Sequence, residues 1–397
     1  MKVVLTSTSY PPAIGGAQLH LHYLARQLSL SHEVSAVTLW DANRTDWLLG
    51  TTLRAPSVER DYSQDGIPVH RLGFSPSEKM RMLPAVAGYY LAQAPAIGWI
   101  STVLTEKILA LGLRPDVVQN GRIGREPISF ASMKIARELD VPFFLTPYHH
   151  PRWAGWLYRH FIRLYRCADG LIALTNAEKE LLGELGVNRD RVFVTGMGPV
   201  VAERGDGKRF LDQYRLHQPL VLFLGQHYAY KGFRELLRAA PLVWERVPEA
   251  HFVFVGPPVG NSERRFRGAD DPRISRLGTV DLQTKTDALA ACSLLCVPST
   301  QESFGGVYAE AWMFGKPVIG CDIPAVHEVI EDGVNGYLVR QEPREISARI
   351  CDLLLNPGQA ERMGLAGRRK AEAEFTWEQI AAKTGAAYSN VIQGRMS

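Results

Sequence analysis

"LLCVPSTQESFGGVYAEAWMFGKPVIGC", Leu294 to Cys321, reads as four consecutive pieces. "LLCVPST" has the length and apolar character of a buried strand, "QESFGG" is a loop, "VYAEAWMF" is helical, and "KPVIGC" is a second β-branched run. A strand that passes through a loop and a helix into another strand is the building unit of a parallel sheet covered by helices. Within it, Glu302 and Glu310 stand either side of the glycine pair Gly305 and Gly306, with seven residues between them.

The same alternation extends outward. "KVVLTS", "EVSAVTLW", "DVVQNG", "PFFLTP" and "GLIALT" come first, then "PLVLFLG", "AHFVFVG", "SLLCVPS" and "KPVIGC", with amphipathic segments such as Phe233 to Arg246 between them. A chain of 397 residues exceeds the size at which one core usually stops growing, so two domains are expected. The fold class is therefore α/β, with two Rossmann-like, doubly wound parallel sheets. The first covers residues 1–200 and the second residues 217–376, and the glycine- and charge-rich stretch "GPVVAERGDGKRFLDQYRLHQP" bridges them. In open α/β sheets ligands bind in loops at the carboxyl ends of strands, so the two halves are expected to face a deep cleft lined by such loops.

Composition narrows the partners. Hydrophobic residues at 46% and charged residues at 22% are those of a packed globular protein. With 45 basic and 41 acidic residues the net charge is only +4, which argues against a nucleic-acid footprint. Five cysteines (Cys167, Cys292, Cys296, Cys321, Cys351) form no C-x-x-C pair and read as reduced, buried thiols. "KVVLTSTSYPP" lacks the parts of a signal peptide, and Leu83 to Leu104 carries two prolines and a glutamine, against a spanning helix. A cytoplasmic protein is expected.

Three loops carry candidate chemistry. After the first strand, Gly15 and Gly16 in "SYPPAIGGAQLHLHYLARQL" open a helix whose N–H groups can meet an anion, although a tight strand-to-helix turn needs the same residues. In "LGQHYAYKGFRELLRAAPLV", Lys231 precedes Gly232 just before a helix, where its ammonium can reach a pyrophosphate; a solvated lysine is the plain alternative. Glu302 in its loop and Glu310 in the first turn of the next helix can accept hydrogen bonds from vicinal hydroxyls, as sugar recognition requires. Charge complementarity at a helix start is the competing explanation for Glu310.

These residues resemble the retaining, GT-B-fold glycosyltransferases of family 4, the glycosyl transferases group 1 type. Its pattern "E-x-F-G-x-x-x-x-E-A…G-x-P-V-I" is matched by Glu302, Phe304, Gly305, Glu310, Ala311, Gly315, Pro317, Val318 and Ile319. The resemblance covers nearly the whole chain, from "YPPAIGGAQ" through "LTNAEKELLGELGV" to "FTWEQIAAKTGAAYSNVI", whose helix over 377–397 it implies to pack back on the N-terminal domain. It implies an N-terminal acceptor domain, a C-terminal nucleotide-sugar donor domain and transfer from a UDP- or GDP-linked sugar to an acceptor hydroxyl.

The resemblance also implies individual roles. Glu302, Ser303 and the backbone of Phe304, Gly305, Gly306 and Val307 hold the donor sugar, Glu310 binds the ribose, and Lys231 holds the diphosphate. "GQHYAYKG" has the spacing of the family's "G-R-x-x-x-x-K-G", but Gln226 replaces its arginine, which removes one cation from the phosphate clamp. "RLGTV", ending at Val280, occupies the stretch whose main chain meets the nucleobase. "PDVVQNGRIG" lacks the histidine of "D-V-V-x-x-H", and His149 and His150 in "TPYHHPRW" are the replacements, at most one of them facing the donor if both lie at a strand's end.

Arg159, Arg163 and Arg166 fall at helical spacing, interleaved with Trp153, Trp156, Tyr158 and Phe161. They suit peripheral contact with an anionic membrane or a lipid-diphosphate acceptor, or simply a solvated basic face. The acceptor is a glycan, a lipid-linked precursor or a small molecule. No cofactor is called for, and without a D-x-D triplet no metal. A GT-B nucleotide-sugar epimerase and a non-catalytic sugar-nucleotide-binding subunit are the rival functions.

Overall fold

Each apolar run read above as a strand is one in the computed structural model of the chain. All residues are described except 14, 43–45, 123, 151, 152, 154, 261, 267–270 and 397, together with the side chains of 265 and 396. The chain divides into two units, Met1–Gly196 with Trp377–Ser397, and Met197–Thr376.

The first unit holds β1 (Lys2–Ser9), β2 (Glu33–Trp40), β3 (Arg60–Gln64), β4 (Ile67–Arg71), β5 (Val117–Gly121), β6 (Phe143–Thr146), β7 (Gly170–Ala173) and β8 (Val192–Val194). They form one sheet in the order β3-β4-β2-β1-β5-β6-β7-β8, parallel except for the β3–β4 hairpin at its edge. Alternate residues of each strand serve opposite cores. Val4, Phe143, Leu145, Leu171 and Ala173 join one cluster, whereas Val3, Leu5, Phe144 and Ile172 join the other. Both faces are buried, which is why the strands read as continuous apolar runs.

The second of these cores is closed by the C-terminal helix, Trp377–Met396. Tyr388 packs edge-on against Phe144 with ring centroids 4.9 Å apart and gives its hydroxyl to Gln119, while Trp377 stacks on Tyr23 of the helix Gly16–Leu28 at 5.4 Å.

The edge hairpin was not anticipated. Its turn is Asp65–Gly66, with φ of 47° and 85°, the left-handed pair that a two-residue hairpin loop demands. Asp65 Oδ2 then meets Nε2 of buried His22 at 2.8 Å, which ties the hairpin to the helix Gly16–Leu28.

The second unit holds β9 (Leu220–Leu224), β10 (His251–Val255), β11 (Ile274–Gly278), β12 (Leu294–Val297), β13 (Val318–Cys321) and β14 (Gly336–Val339), all parallel, in the order β11-β10-β9-β12-β13-β14. The bridge expected over 200–217 is not a free linker. It belongs to this unit, which begins at Met197, and contains a helix over Gly207–Tyr214. Asp206 caps that helix, and Arg209 forks onto Asp287 at 2.6 and 2.8 Å.

In both sheets the chain winds outward on one side of its first strand and returns on the other. The reversal lies between β1 and β5 in the first unit and between β9 and β12 in the second. Loops leaving such a pair of strands diverge and open a crevice at their carboxyl ends.

Candidate functional site

In the second unit two loops meet at the reversal. The loop after β9 ends in a 3₁₀ turn, Ala229–Lys231, followed by Gly232 at φ 81°, where a Cβ would lie 2.4 Å from the Pro298 carbonyl. Only glycine fits, and it aims Lys231 toward the loop after β12. Lys231 Nζ donates to Glu302 Oε1 at 2.5 Å, with the lysine 21% and the glutamate 9% exposed at their side chains. Gln341, which follows β14, fastens the two loops together by donating to the Tyr230 and Pro298 carbonyls at 3.0 and 2.7 Å.

Gly305 has φ 86°, and a Cβ there would strike the Tyr308 ring at 2.4 Å. It caps the helix Gly306–Trp312 without any side-chain cap. Glu310 is the fifth residue of that helix, so it stands in the second turn and not the first as expected. Complementarity with the helix start therefore does not explain this carboxylate.

Glu310 is 5% exposed. Its Oε1 accepts from Lys285 Nζ at 2.9 Å, Lys285 also donates to the Val200 carbonyl at 2.5 Å, and Oε2 is buried with no partner. Burial pushes the Glu310 carboxyl up from its ordinary value, against the pull of Lys285. A buried carboxylate with one oxygen held by a cation and the other open is a fixed acceptor for a ligand hydroxyl.

The other residues named from the sequence lie around these. Gln226 and Val307 are half-buried, and Ser303 is half-buried in the same loop as Glu302. Phe304 is 3% exposed, its ring edge-on to Phe375 at 5.0 Å, which leaves its backbone rather than its side chain for a ligand. Val280 follows β11 and precedes Asp281, which caps the helix Leu282–Ala291 through the Thr284 N–H at 2.7 Å.

In the first unit, Gly15 has extended backbone (φ −176°) and caps the helix that starts at Gly16, again with no side-chain cap. The first N–H groups of that helix are left for water or a ligand. β6 ends at Thr146, so His149 and His150 lie beyond the strand and the alternation assumed for them does not apply. His149 is 5% exposed, its Nδ1 3.1 Å from the Tyr165 hydroxyl, and burial with the nearby Arg122 charge brings its pKa down to about 4. Its backbone N–H donates to Glu178, whose carboxyl burial pushes up to about 7. His150 is half-buried, edge-on to Trp153 at 5.1 Å.

Residues 218–356 match the family model described as glycosyl transferases group 1, and residues 15–198 the one described as glycosyl transferase 4-like domain. The chain carries a glycosyl transferase 4-like domain followed by a glycosyl transferases group 1 domain. D-inositol 3-phosphate glycosyltransferase of Stackebrandtia nassauensis is 32% identical to it over 57% of this chain and 55% of its own length. Phosphatidyl-myo-inositol mannosyltransferase of Mycobacterium tuberculosis is 32% identical over 46% of this chain and 50% of its own. The chain thus spans about half the length of the curated relatives it matches. Anabaena HepE, solved with UDP and glucose, aligns with 98% of this chain and 99% of its own at a TM-score of 0.75 and 19% identity. Sucrose-phosphate synthase from Thermosynechococcus elongatus covers 99% of both chains at the same score of 0.75 and 18% identity. Likeness at that identity shows the fold, which is GT-B.

Two features of this chain escaped the sequence. Lys285, in "DLQTKTDALAA", had no motif to mark it. Arg122 stood in plain view in "PDVVQNGRIG", the stretch noted only for its missing histidine. Of the three basic residues read as one face, Arg159, Arg163 and Arg166 are all exposed, but Arg166 is spent on the Leu185 carbonyl at 2.9 and 2.6 Å. Among the described residues no helix is long and apolar enough to cross a membrane, and no group of three metal-ligating side chains is gathered.

Proposed function

We infer that this protein transfers a sugar from a nucleoside diphosphate to an acceptor hydroxyl with retention of anomeric configuration, without a metal ion. One observation carries this. Glu310 keeps a buried, partnerless oxygen while Lys231 and Glu302 pair across the reversal point of the same sheet, which offers a hydroxyl acceptor, a cation and a carboxylate at the carboxyl ends of one set of strands. Glu310 would hold the ribose, Glu302 and the N–H groups from Phe304 to Val307 the sugar, and Lys231 the diphosphate, with Gln226 as a neutral donor beside it. The main chain at Val280 would meet the base.

As the glycosidic bond breaks, negative charge grows on the leaving diphosphate. Lys231 and backbone N–H groups are already aimed and need no reorganisation, so they lower the barrier without a divalent ion. The domain matches and the UDP complexes of HepE favour a UDP-linked donor, with GDP-linked sugars as the alternative; the two inositol-modifying relatives favour a polyol or lipid-linked polyol acceptor. Gly15 and Gly16 would offer backbone N–H groups to the donor, and His149 or His150 would serve catalysis on the acceptor side. The exposed Arg159 and Arg163 suit an anionic membrane surface, which would place the enzyme on the inner face.

The test is thermal-shift screening of UDP-, GDP- and ADP-sugars, followed by transfer to polyol acceptors in EDTA with the product anomer read by NMR. An inverted product, or metal-rescuable loss in EDTA, would sink the mechanism. Binding without turnover would favour a non-catalytic subunit, and isomerised free donor an epimerase.

A further inference from the structure

Arg122, the first residue after β5, is 1% exposed. Its backbone N–H donates to the Thr146 carbonyl at 3.0 Å, which fixes the start of the side chain between β5 and β6. The guanidinium is walled by three rings, Trp153 at 4.7 Å, Phe161 at 5.3 Å and Tyr165 at 5.2 Å. Its Nη1 meets the Tyr165 hydroxyl, whereas Nε and Nη2 are buried with no partner.

Among the described residues none of its nitrogens thus meets a carboxylate. The acidic groups near Tyr165 are committed elsewhere: Glu178 accepts the His149 and Leu174 N–H groups, and Glu126 accepts that of Gly124. Aromatic faces offset part of the cost of burying a permanent cation but leave two N–H donors unmet. A lone buried charge is among the most expensive features a fold can carry, so its counter-ion is to be sought in a ligand.

Topology points the same way. β5 lies next to β1, and the chain reverses its winding between them. Arg122 therefore leaves one wall of the first unit's crevice, and the loop carrying Gly15 and Gly16 leaves the other. Two of the three rings stand on the helix Arg159–Cys167, and the third, Trp153, precedes it, so the interleaved aromatics of this segment serve a buried arginine as well as a surface.

We propose that Arg122 is the anchor of an oxyanion site in the first unit, taking a phosphate ester or carboxylate through the forked N–H pair of Nε and Nη2. That this oxyanion belongs to the sugar acceptor rests on the transferase reading; the site itself does not. An anion held here leaves the rest of the acceptor to reach past His149 and Trp153, and selects acceptors that carry a negative charge.

The test is calorimetric titration of the full chain with inorganic phosphate and, separately, acetate. The chain carries Lys231→Ala so that the second unit's cation does not contribute, and is compared with the same chain also carrying Arg122→Gln. Binding of either probe that weakens at least tenfold in the Arg122→Gln chain is the expected result; tighter phosphate names a phosphate ester, tighter acetate a carboxylic acid. No binding of either, or binding indifferent to Arg122, overturns the site. Should Arg122→Gln fail to fold, hydrogen exchange of the Lys231→Ala chain decides: phosphate must slow exchange in peptides covering 117–124 and 159–168, and protection confined to 197–376 overturns the proposal. Should the Lys231→Ala chain bind phosphate at Arg122 while the unsubstituted chain transfers no sugar, the transferase reading falls and the site stays.

Discussion

Lys231 and Glu302 form a 2.5 Å ion pair between the loops that follow β9 and β12, the two strands between which the second sheet reverses its winding. The pair ties the two loops together, and on the proposed reading a diphosphate would have to share or displace Glu302 to reach the ammonium. Lys231→Ala should cut turnover by roughly 10²–10³-fold, the typical effect of removing one preorganised electrostatic stabiliser. Gln226→Arg should raise kcat or donor affinity by adding a forked donor beside Lys231. Steady-state transfer assays check both, and undiminished turnover in Lys231→Ala would move the leaving group elsewhere.

Glu310 and Lys285 form the second buried pair. Glu310→Gln should weaken nucleotide binding by about 1.5–3 kcal/mol, the worth of a charged hydrogen bond, measured by calorimetry. Lys285→Met leaves the carboxylate without its cation and should cost about 3–5 kcal/mol of stability at pH 8. The loss should shrink from pH 8 towards pH 5, because burial raises the Glu310 carboxyl and eases its protonation as pH falls. Equal losses at the two pH values in urea unfolding would contradict the pairing.

Glu178 supplies a pH test. Burial raises its carboxyl in the folded chain from the ordinary 4.5 to about 7, so the folded state binds the proton more tightly than the unfolded one. Stability from this group is present at low pH and declines as pH rises through the window from 4.5 to about 7. Glu178→Gln removes that decline. The unfolding free energy of the variant relative to the parent should therefore increase by about 2 kcal/mol between pH 5 and pH 7, and a flat difference would refute it.

Gly367 gives a packing test remote from any ligand. A Cβ there would fall 2.1 Å from the ring of Trp312, the buried last residue of the helix that carries Glu310. Gly367→Ala should lower stability by about 1–3 kcal/mol and weaken nucleotide binding by displacing that helix. A melting temperature and an affinity both unchanged would show that the ring has room to move.

What the sequence disclosed follows from where the information lies. Strands buried on both faces write themselves as apolar runs, so β1, β2, β5 to β7, β9, β10, β12 and β13 were legible. β3, "RDYSQ", is an exposed edge strand without such a run; the Asp65–Gly66 turn was its real signature and went unread. In the site, Lys231 and Glu302 were legible because loop glycines flag them. Lys285 and Glu310 are 25 positions apart and Arg122 and Tyr165 are 43 apart, partnerships that arise only when the helices pack.

The return of residues 377–397 to the first unit bears on how the chain is made. Residues 197–376 are contiguous and leave the ribosome complete, whereas the core around Phe144 lacks Ile380 and Tyr388 until the segment that carries them has been synthesised. The usual order of folding during synthesis, first domain first, is thereby inverted. The unit begun earliest is finished last.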